Sequence, residues 1–295
     1  GGAAEVLGKV RAEIAKAVIG QERAVDRVLT AILAGGHVLL EGVPGTGKTL
    51  LVQSLARAVG ARFGRISFTP DLMPSDITGT NVFDRESGRF QLVQGPIFCD
   101  LLLADEVNRT PPKTQAALLE AMQEGRATLD GETHLLSPVF TVLATQNPIE
   151  FEGTYPLPEA QRDRFLLKVR IDYPDEDEEA RILRRAHAGR PASDLAAAGI
   201  TAVAGVEDVL AARRALVDVR VDDALLDYVR DVVRATRRHE AVRLGGGPRA
   251  SLALLLASKA HALLAGRDYV NPDDVQDLAP DVLDHRLLYQ PEAEL

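Results

Sequence analysis

Cysteine, tryptophan and lysine are the scarce residues of this chain. Cys99 is the one cysteine in 295 residues, so no internal disulfide can form, and that usage suits a reducing cytoplasm. Tryptophan is absent. The six histidines (His37, His134, His187, His239, His261 and His285) are scattered, with neither an H-E-x-x-H pair nor a Cys/His zinc cluster. No apolar run approaches the roughly 18 residues of a membrane span, and the sequence opens on no signal-peptide pattern. Only six of the 34 basic residues are Lys, against 43 acidic residues. The formal net charge of −9 argues against broad nucleic-acid binding and leaves room only for a local basic loop. Internal repeats and low-complexity tracts are missing too. The balance, 46% apolar and 26% charged, is ordinary for a globular protein, and the length makes two domains the expectation.

What stands out against this background is one glycine-rich stretch. Gly42-Val43-Pro44-Gly45-Thr46-Gly47-Lys48-Thr49 fits G-x-x-x-x-G-K-[ST] in full. A short apolar strand over 37–41 precedes it, and a helix with one apolar face, opened by Leu50, follows over 50–59. The glycines let the backbone fold round a polyphosphate, so that its N–H groups and the helix N-terminus face negative charge. Lys48 would reach the β- and γ-phosphates and the Thr49 hydroxyl would ligate Mg²⁺. Residues 42 to 50 are therefore the candidate binding residues for a nucleoside triphosphate.

Along the chain, helices are expected over 3–17 and from about 22 to 33, separated by Val18-Ile19-Gly20-Gln21. Further apolar strands are expected at 65–68, 101–105, 140–145 and 165–171. They are nearly continuous apolar runs separated by helices, which signals a parallel sheet covered on both faces. Two hairpins interrupt the pattern, one at 81–93 and one at 126–135 around Asp130-Gly131. From about residue 174 onward everything reads as helix, over 175–187, 206–217, 222–239, 248–265 and 272–288. The division is thus an α/β domain over 1–173 and a helical domain over 174–295.

Ligands of such sheets bind beyond the carboxyl ends of the strands. Asp105-Glu106 closes the strand at 101–104, where Asp105 would hold the water shell of Mg²⁺ and Glu106 would polarise an attacking water. Asn147 follows the next strand, in reach of the γ-phosphate or of that water.

These blocks resemble the AAA+ ATPases: Gly42 to Thr49 the Walker A motif, 101–106 Walker B, and Asn147 sensor 1. Gly36-His37-Val38-Leu39-Leu40-Glu41-Gly42-Val43-Pro44-Gly45, the segment 69–79, Asp105-Glu106-Val107-Asn108-Arg109, Leu119-Glu120-Ala121-Met122-Gln123-Glu124, Ala144-Thr145-Gln146-Asn147-Pro148 and the segment 155–161 narrow the similarity to the MoxR family. The resemblance covers nearly the whole chain, from Val18 to Arg286. It implies a P-loop αβα sandwich with a parallel five-stranded sheet in the order 5-1-4-3-2, followed by an all-helical lid, with nucleotide between them. It implies that Val18, Ile19 and Gly20 border adenine, that 76–98 is the helix-2 insert, and that 126–137 is the hairpin before sensor 1. Either hairpin could meet a pore or a partner. Arg249 matches sensor 2, reading the γ-phosphate alongside Lys48. Arg164 matches the arginine finger of a neighbouring subunit, with Arg162, an unusual residue at its position, as the competing candidate.

Implied with these are ATP and Mg²⁺ as cofactors and a ring homo-oligomer, taken as a hexamer, in the cytoplasm. The implied output is chaperone or maturation work on client proteins, including metal-centre insertion, often beside a protein with a von Willebrand factor A domain. A DNA-remodelling motor is the alternative, disfavoured by the acidic balance and by the shortage of Lys and aromatics in the hairpins. A nucleotide-dependent scaffold with little turnover is the other, disfavoured by the intact Asp105-Glu106 pair.

Overall fold

A computed structural model describes residues 2–42, 45, 47–146, 153–190, 195 and 198–293. The chain opens with α1 (Ala3–Ile14), which buries Leu7, Val10 and Ile14, and α2 (Glu22–Ala34). α2 is buried almost all round, because the sheet lies on one side of it and C-terminal helices on the other. β1 (His37–Gly42) leads through the glycine loop into α3 (Lys48–Ala58), and β2 (Phe63–Ser67) follows. A single helical turn, α4 (Pro74–Thr78), precedes the first hairpin, β3 (Gly79–Asp84) with β4 (Arg89–Gln94). β5 (Leu101–Asp105) and α5 (Pro112–Glu124) come next, then the second hairpin, β6 (Arg126–Leu129) with β7 (Glu132–Leu135). Its turn has Asp130 at φ 50° and Gly131 at φ 81°, the two left-handed positions of a type I′ turn. β8 (Thr141–Thr145), α6 (Glu159–Arg162) and β9 (Phe165–Ile171) complete this part.

All pairings of the central sheet are parallel, in the order β2-β5-β8-β1-β9. Counting only these five strands, that is 5-1-4-3-2, the order the resemblance implied. Alternate residues of β5 and β8 enter different cores. Leu101, Leu103 and Leu143 join the cluster with α1, α2 and α3. Leu102, Ala104, Val142 and Ala144 join the one with Leu118, Leu119 and Met122 of α5. A strand apolar at every position is the consequence of burial on both sides.

The C-terminal region is helical, as read: α7 (Glu176–His187), α8 (Val206–Ala215), α9 (Asp223–Thr236), α10 (Pro248–Leu264) and α11 (Pro272–Leu283). It also carries one short antiparallel pair, β10 (Val242–Leu244) with β11 (Leu288–Tyr289), where unbroken helix over 272–288 was expected. Strands of two or three residues are too short to leave a period of two, and a 3₁₀ turn at Asp284–Arg286 ends α11 before β11. No helix among the described residues is long and apolar enough to cross a membrane.

The helical region docks on the edge strand β9 and on α2. Arg27 Nε meets Asp281 Oδ2 at 2.8 Å, Lys168 Nζ meets Asp284 Oδ2 at 2.8 Å, and Arg286 Nε meets Asp163 Oδ1 at 2.8 Å. Two buried histidines stand near the same end of the sheet. His37 Nδ1 accepts from the Val142 N–H at 2.9 Å and its Nε2 donates to Met122 O at 3.2 Å. His285 Nε2 lies 2.6 Å from Phe165 O. Burial pushes His37 down to about 4 and His285 down to about 3.

Both imidazoles are neutral when folded but would bind a proton below about pH 6.5 when unfolded. The unfolded state therefore takes up more protons across that window, and stability falls as pH drops from about 6.5 toward 4. At pH 5 the loss is roughly 2 kcal/mol for each histidine. Denaturant unfolding at pH 7.5 and 5.0 measures it, and His37→Gln should flatten the slope by about 1.4 kcal/mol per pH unit.

Candidate active site

The glycine loop lies between the C-terminal end of β1 and the N-terminus of α3. Gly45 and Gly47 both sit at φ 81°, a conformation that suits glycine, and a Cβ added at either would meet nothing within 4 Å. The loop backbone thus borders open space at a helix N-terminus, which is where a polyphosphate binds. Lys48 Nζ donates to Gly42 O at 2.8 Å, closing the loop on itself. Burial lowers the Lys48 pKa, and the carboxylates of Asp105, Glu106 and Glu41 act against that shift. Lys48 is tied to Gly42 at the end of β1, and the parallel register Leu40↔Thr145 and Ala104↔Ala144 sets Asp105 and Glu106 at that same end of the sheet. Thr49 and Leu50 follow in the first turn of α3, both half-buried. Val43, Pro44, Thr46 and Asn147 lie outside the described residues.

The carboxylate pair is held from several sides. Asp105 Oδ2 accepts from Arg65 Nε at 3.0 Å and Nη2 at 2.6 Å, and Asp105 Oδ1 accepts from the Thr145 hydroxyl at 3.1 Å. The Glu106 N–H donates to that same hydroxyl at 2.9 Å, and Glu106 Oε2 accepts from Arg109 Nη1 at 3.2 Å. Glu106 adopts φ 57°, ψ 50°. For a residue with a side chain this left-handed conformation costs about 1–2 kcal/mol, and such strain gathers where a side chain must be aimed. Among the described residues only Asp130, in its hairpin turn, shares positive φ without being glycine.

Val18, Ile19 and Gly20 link α1 to α2. Ile19 is buried, Gly20 is at φ 76°, and the Glu178 carboxylate fills the space a side chain at Gly20 would need. Gln21 Nε2 donates to Asp172 O at 3.3 Å, just beyond β9. In the β1–β9 register Gly42 pairs with Ile171, so this linker stands at the same end of the sheet as the loop.

Arg164 and Arg249 stand elsewhere. Together with His37, Met122, Asp163 and Arg286 they line a cavity of about 480 Å³ at the N-terminal ends of β1 and β9. Arg249 Nη1 is 3.5 Å from Asp163 Oδ2, and its side chain is 81% exposed. β1 separates this cluster from Gly42 by about 17 Å, at 3.3 Å per residue. In this structure Arg249 therefore stands at the opposite end of the sheet from Lys48 of its own chain. The physical reason is the docking of the lid: Arg286 binds Asp163 and the carbonyls of Phe165 and Leu166, which brings the start of α10 to the far end of the sheet. Arg162 is not among the residues lining that cavity. Thr145, Arg65 and Asp163 have no role read from the sequence; Thr145 lies inside a quoted motif, whereas nothing local marks the pairing of Arg65 with Asp105 or of Asp163 with Arg286 and Arg249.

A family model described as "ATPase family associated with various cellular activities (AAA)" matches residues 37–167, and an AAA lid domain matches 234–295. The chain is 46% identical to chaperone MoxR1 of Mycobacterium tuberculosis over 298 residues, covering 97% of this chain and 77% of that one. The chain belongs to the MoxR family of AAA+ ATPases. Other relatives align over similar lengths. The uncharacterized YeaC protein of Bacillus subtilis is 49% identical over 289 residues, covering 98% of this chain and 89% of its own. Protein MoxR of Methylorubrum extorquens is 30% identical across 99% of this chain and 90% of its own. A crystal structure from Cytophaga hutchinsonii, provisionally assigned as an ATPase, superposes with a TM-score of 0.90 at 41% identity, covering 99% of this chain and 90% of that one. MoxR-family membership and the lid-bearing AAA+ fold therefore rest on whole-chain similarity.

Proposed function

We propose that this MoxR-family chain hydrolyses ATP to ADP and phosphate in a ring of identical subunits, a hexamer, and uses the cycle to remodel or mature partner proteins in the cytoplasm. The observation that carries the reading is the gathering of Lys48, Asp105 and Glu106 at one end of the sheet, beside an open glycine loop. In this reading the loop from Gly42 to Thr49, with Leu50 behind it, cradles the phosphates, and Val18, Ile19 and Gly20 border the adenine. Thr49 and Asp105 would hold Mg²⁺, which supplies charge neutralisation at the β- and γ-phosphates. Glu106 takes the proton of the attacking water and Asn147 orients that water.

Arg164 and Arg249 would complete a neighbour's pocket rather than their own. Their place at the opposite end of β1 supports that, as does the exposure of Arg249. Each nucleotide then lies between two subunits, so its state governs how they meet.

Client work is supported by the naming of a chaperone among the relatives and by an exposed apolar surface on the first hairpin. Val82, Phe83, Phe90 and Val93 are each at least half exposed, with the two Phe rings 5.3 Å apart. Asn81 Nδ2 donates to Asp130 Oδ2 at 2.7 Å, tying this hairpin to the turn of the second. A von Willebrand factor A domain protein is the proposed partner, and metal-centre insertion one form of the maturation. The exposed Phe pair also gives the hairpin more aromatic surface than its composition suggested, which is the feature a DNA motor would use.

Phosphate release from Mg²⁺·ATP, with and without single-stranded DNA, tests the reading. Turnover indifferent to DNA is expected. Stimulation by DNA that fades with salt would point to a motor instead. Background turnover in both wild type and Glu106→Gln would leave only an ATP-dependent scaffold. Capture of a von Willebrand A-type protein by ATP-loaded Glu106→Gln tests the partner; recovery no greater than with Lys48→Ala would contradict it.

A further inference from the structure

We propose that Thr145 is a positioning residue of the hydrolytic site, its hydroxyl holding the Asp105 carboxylate and the backbone of Glu106 in their working arrangement. The inference rests on the ATPase reading above. Thr145 is 3% exposed and sits on β8, between the strand that feeds the glycine loop and the strand that ends in the carboxylate pair. It is in register with Leu40 of β1. On its other side the β5–β8 ladder runs from Leu101↔Thr141 to Ala104↔Ala144. Beyond that point Asp105 stays paired only with Ser67 of β2, and the Glu106 N–H turns to the Thr145 hydroxyl, 2.9 Å away.

One hydroxyl serves two groups because it both donates and accepts. An ionised carboxylate only accepts, so the single proton goes to Asp105 Oδ1 at 3.1 Å and a lone pair is left for the Glu106 N–H. Asp105 Oδ2 is meanwhile occupied by Arg65. The plane of the Asp105 carboxyl group is thereby held on both oxygens, and the left-handed backbone of Glu106 is tied to the same point. Thr145 touches neither water nor phosphate in this role. It acts through Asp105 and Glu106.

Thr145→Val keeps the shape and removes both bonds. The expected result is a kcat lower by about 100-fold, the size of loss that a displacement of about 1 Å produces, with KM for ATP within about threefold. Thr145→Ser restores the hydroxyl and should return kcat to within about threefold of the parent. Equilibrium binding of a non-hydrolysable ATP analogue gives a readout free of turnover. Affinity in EDTA should match the parent, whereas the gain brought by Mg²⁺ should shrink. Thr145→Ala, run beside these, carries the same expectation should valine not be tolerated.

Parental kcat together with a parental Mg²⁺ gain in the Val and Ala variants would overturn the assignment. So would equal impairment of the Ser and Val variants, since size and not the hydroxyl would then be the cause. Glu106→Gln separates the two levels. If it is inactive while Thr145→Val is normal, only the role of Thr145 has failed; if the wild type itself turns over no faster than background, the ATPase reading has failed and this role with it.

Discussion

Glu106→Gln is expected to lower kcat for ATP hydrolysis by about 10²–10⁴-fold, the range that a positioned general base contributes. Glutamine has nearly the same shape and can still accept from Arg109, so the backbone at φ 57° and its tie to Thr145 should survive. What is lost is the capacity to take a proton from water. Phosphate binding rests on other groups, the glycine loop and Lys48, so nucleotide affinity should stay within about threefold. Single-turnover kinetics beside equilibrium binding measure both quantities. Loss of binding in step with turnover would show that Glu106 holds the loop together and is not the base.

Arg164→Ala is the second large effect, with kcat expected to fall by about 10³–10⁵-fold, as when an arginine finger is withdrawn from phosphoryl transfer. The distribution of charge argues for this size. Lys48 is the cation placed at the glycine loop, while Arg164 and Arg249 lie together at the far end of β1. Arg65 and Arg109 are engaged with Asp105 and Glu106, so a transition state that gathers negative charge on the γ-phosphate would draw a further arginine from another subunit. Arg249→Ala should lower turnover as well, by a smaller factor, because its ion pair with Asp163 at 3.5 Å is exposed and the side chain is free to swing. Arg162→Ala should leave turnover within a few-fold if Arg164 is the inserting residue. The reverse ranking of Arg162 and Arg164 would reassign the finger.

The sheet was legible in the sequence because parallel strands buried on both faces have to be apolar throughout. Leu101 to Ala104 and Val142 to Ala144 are such runs, and each lies in the core. The hairpin at Asp130-Gly131 was equally legible, since two adjacent left-handed residues leave few sequence choices. Strand order was not; it came with the family resemblance, because period and propensity carry no information about which strands are neighbours.

The candidate site divides in the same way. Its glycine loop and acidic pair are contiguous motifs at strand ends, so chain position alone located them. The place of Arg249 is set by contacts far apart in sequence, Arg286 with Asp163 and Asp281 with Arg27, and no local pattern announces those. Thr145 was hidden for another reason: a β-branched residue in a buried strand needs no explanation until its hydroxyl is seen between Asp105 and Glu106.

The pocket shared between subunits is the central claim, and mixing tests it most directly. Lys48→Ala subunits lack a working loop but carry intact Arg164 and Arg249; Arg164→Ala subunits have the loop but not the finger. Each homo-oligomer should be nearly inactive. Mixed rings should regain turnover, because an intact loop then faces an intact finger at some interfaces. ATPase activity is measured against mixing ratio, with co-assembly verified by pull-down of differently tagged subunits. Recovery that peaks near equal proportions is the predicted result. Mixtures that co-assemble and stay inactive at every ratio would contradict a pocket completed in trans.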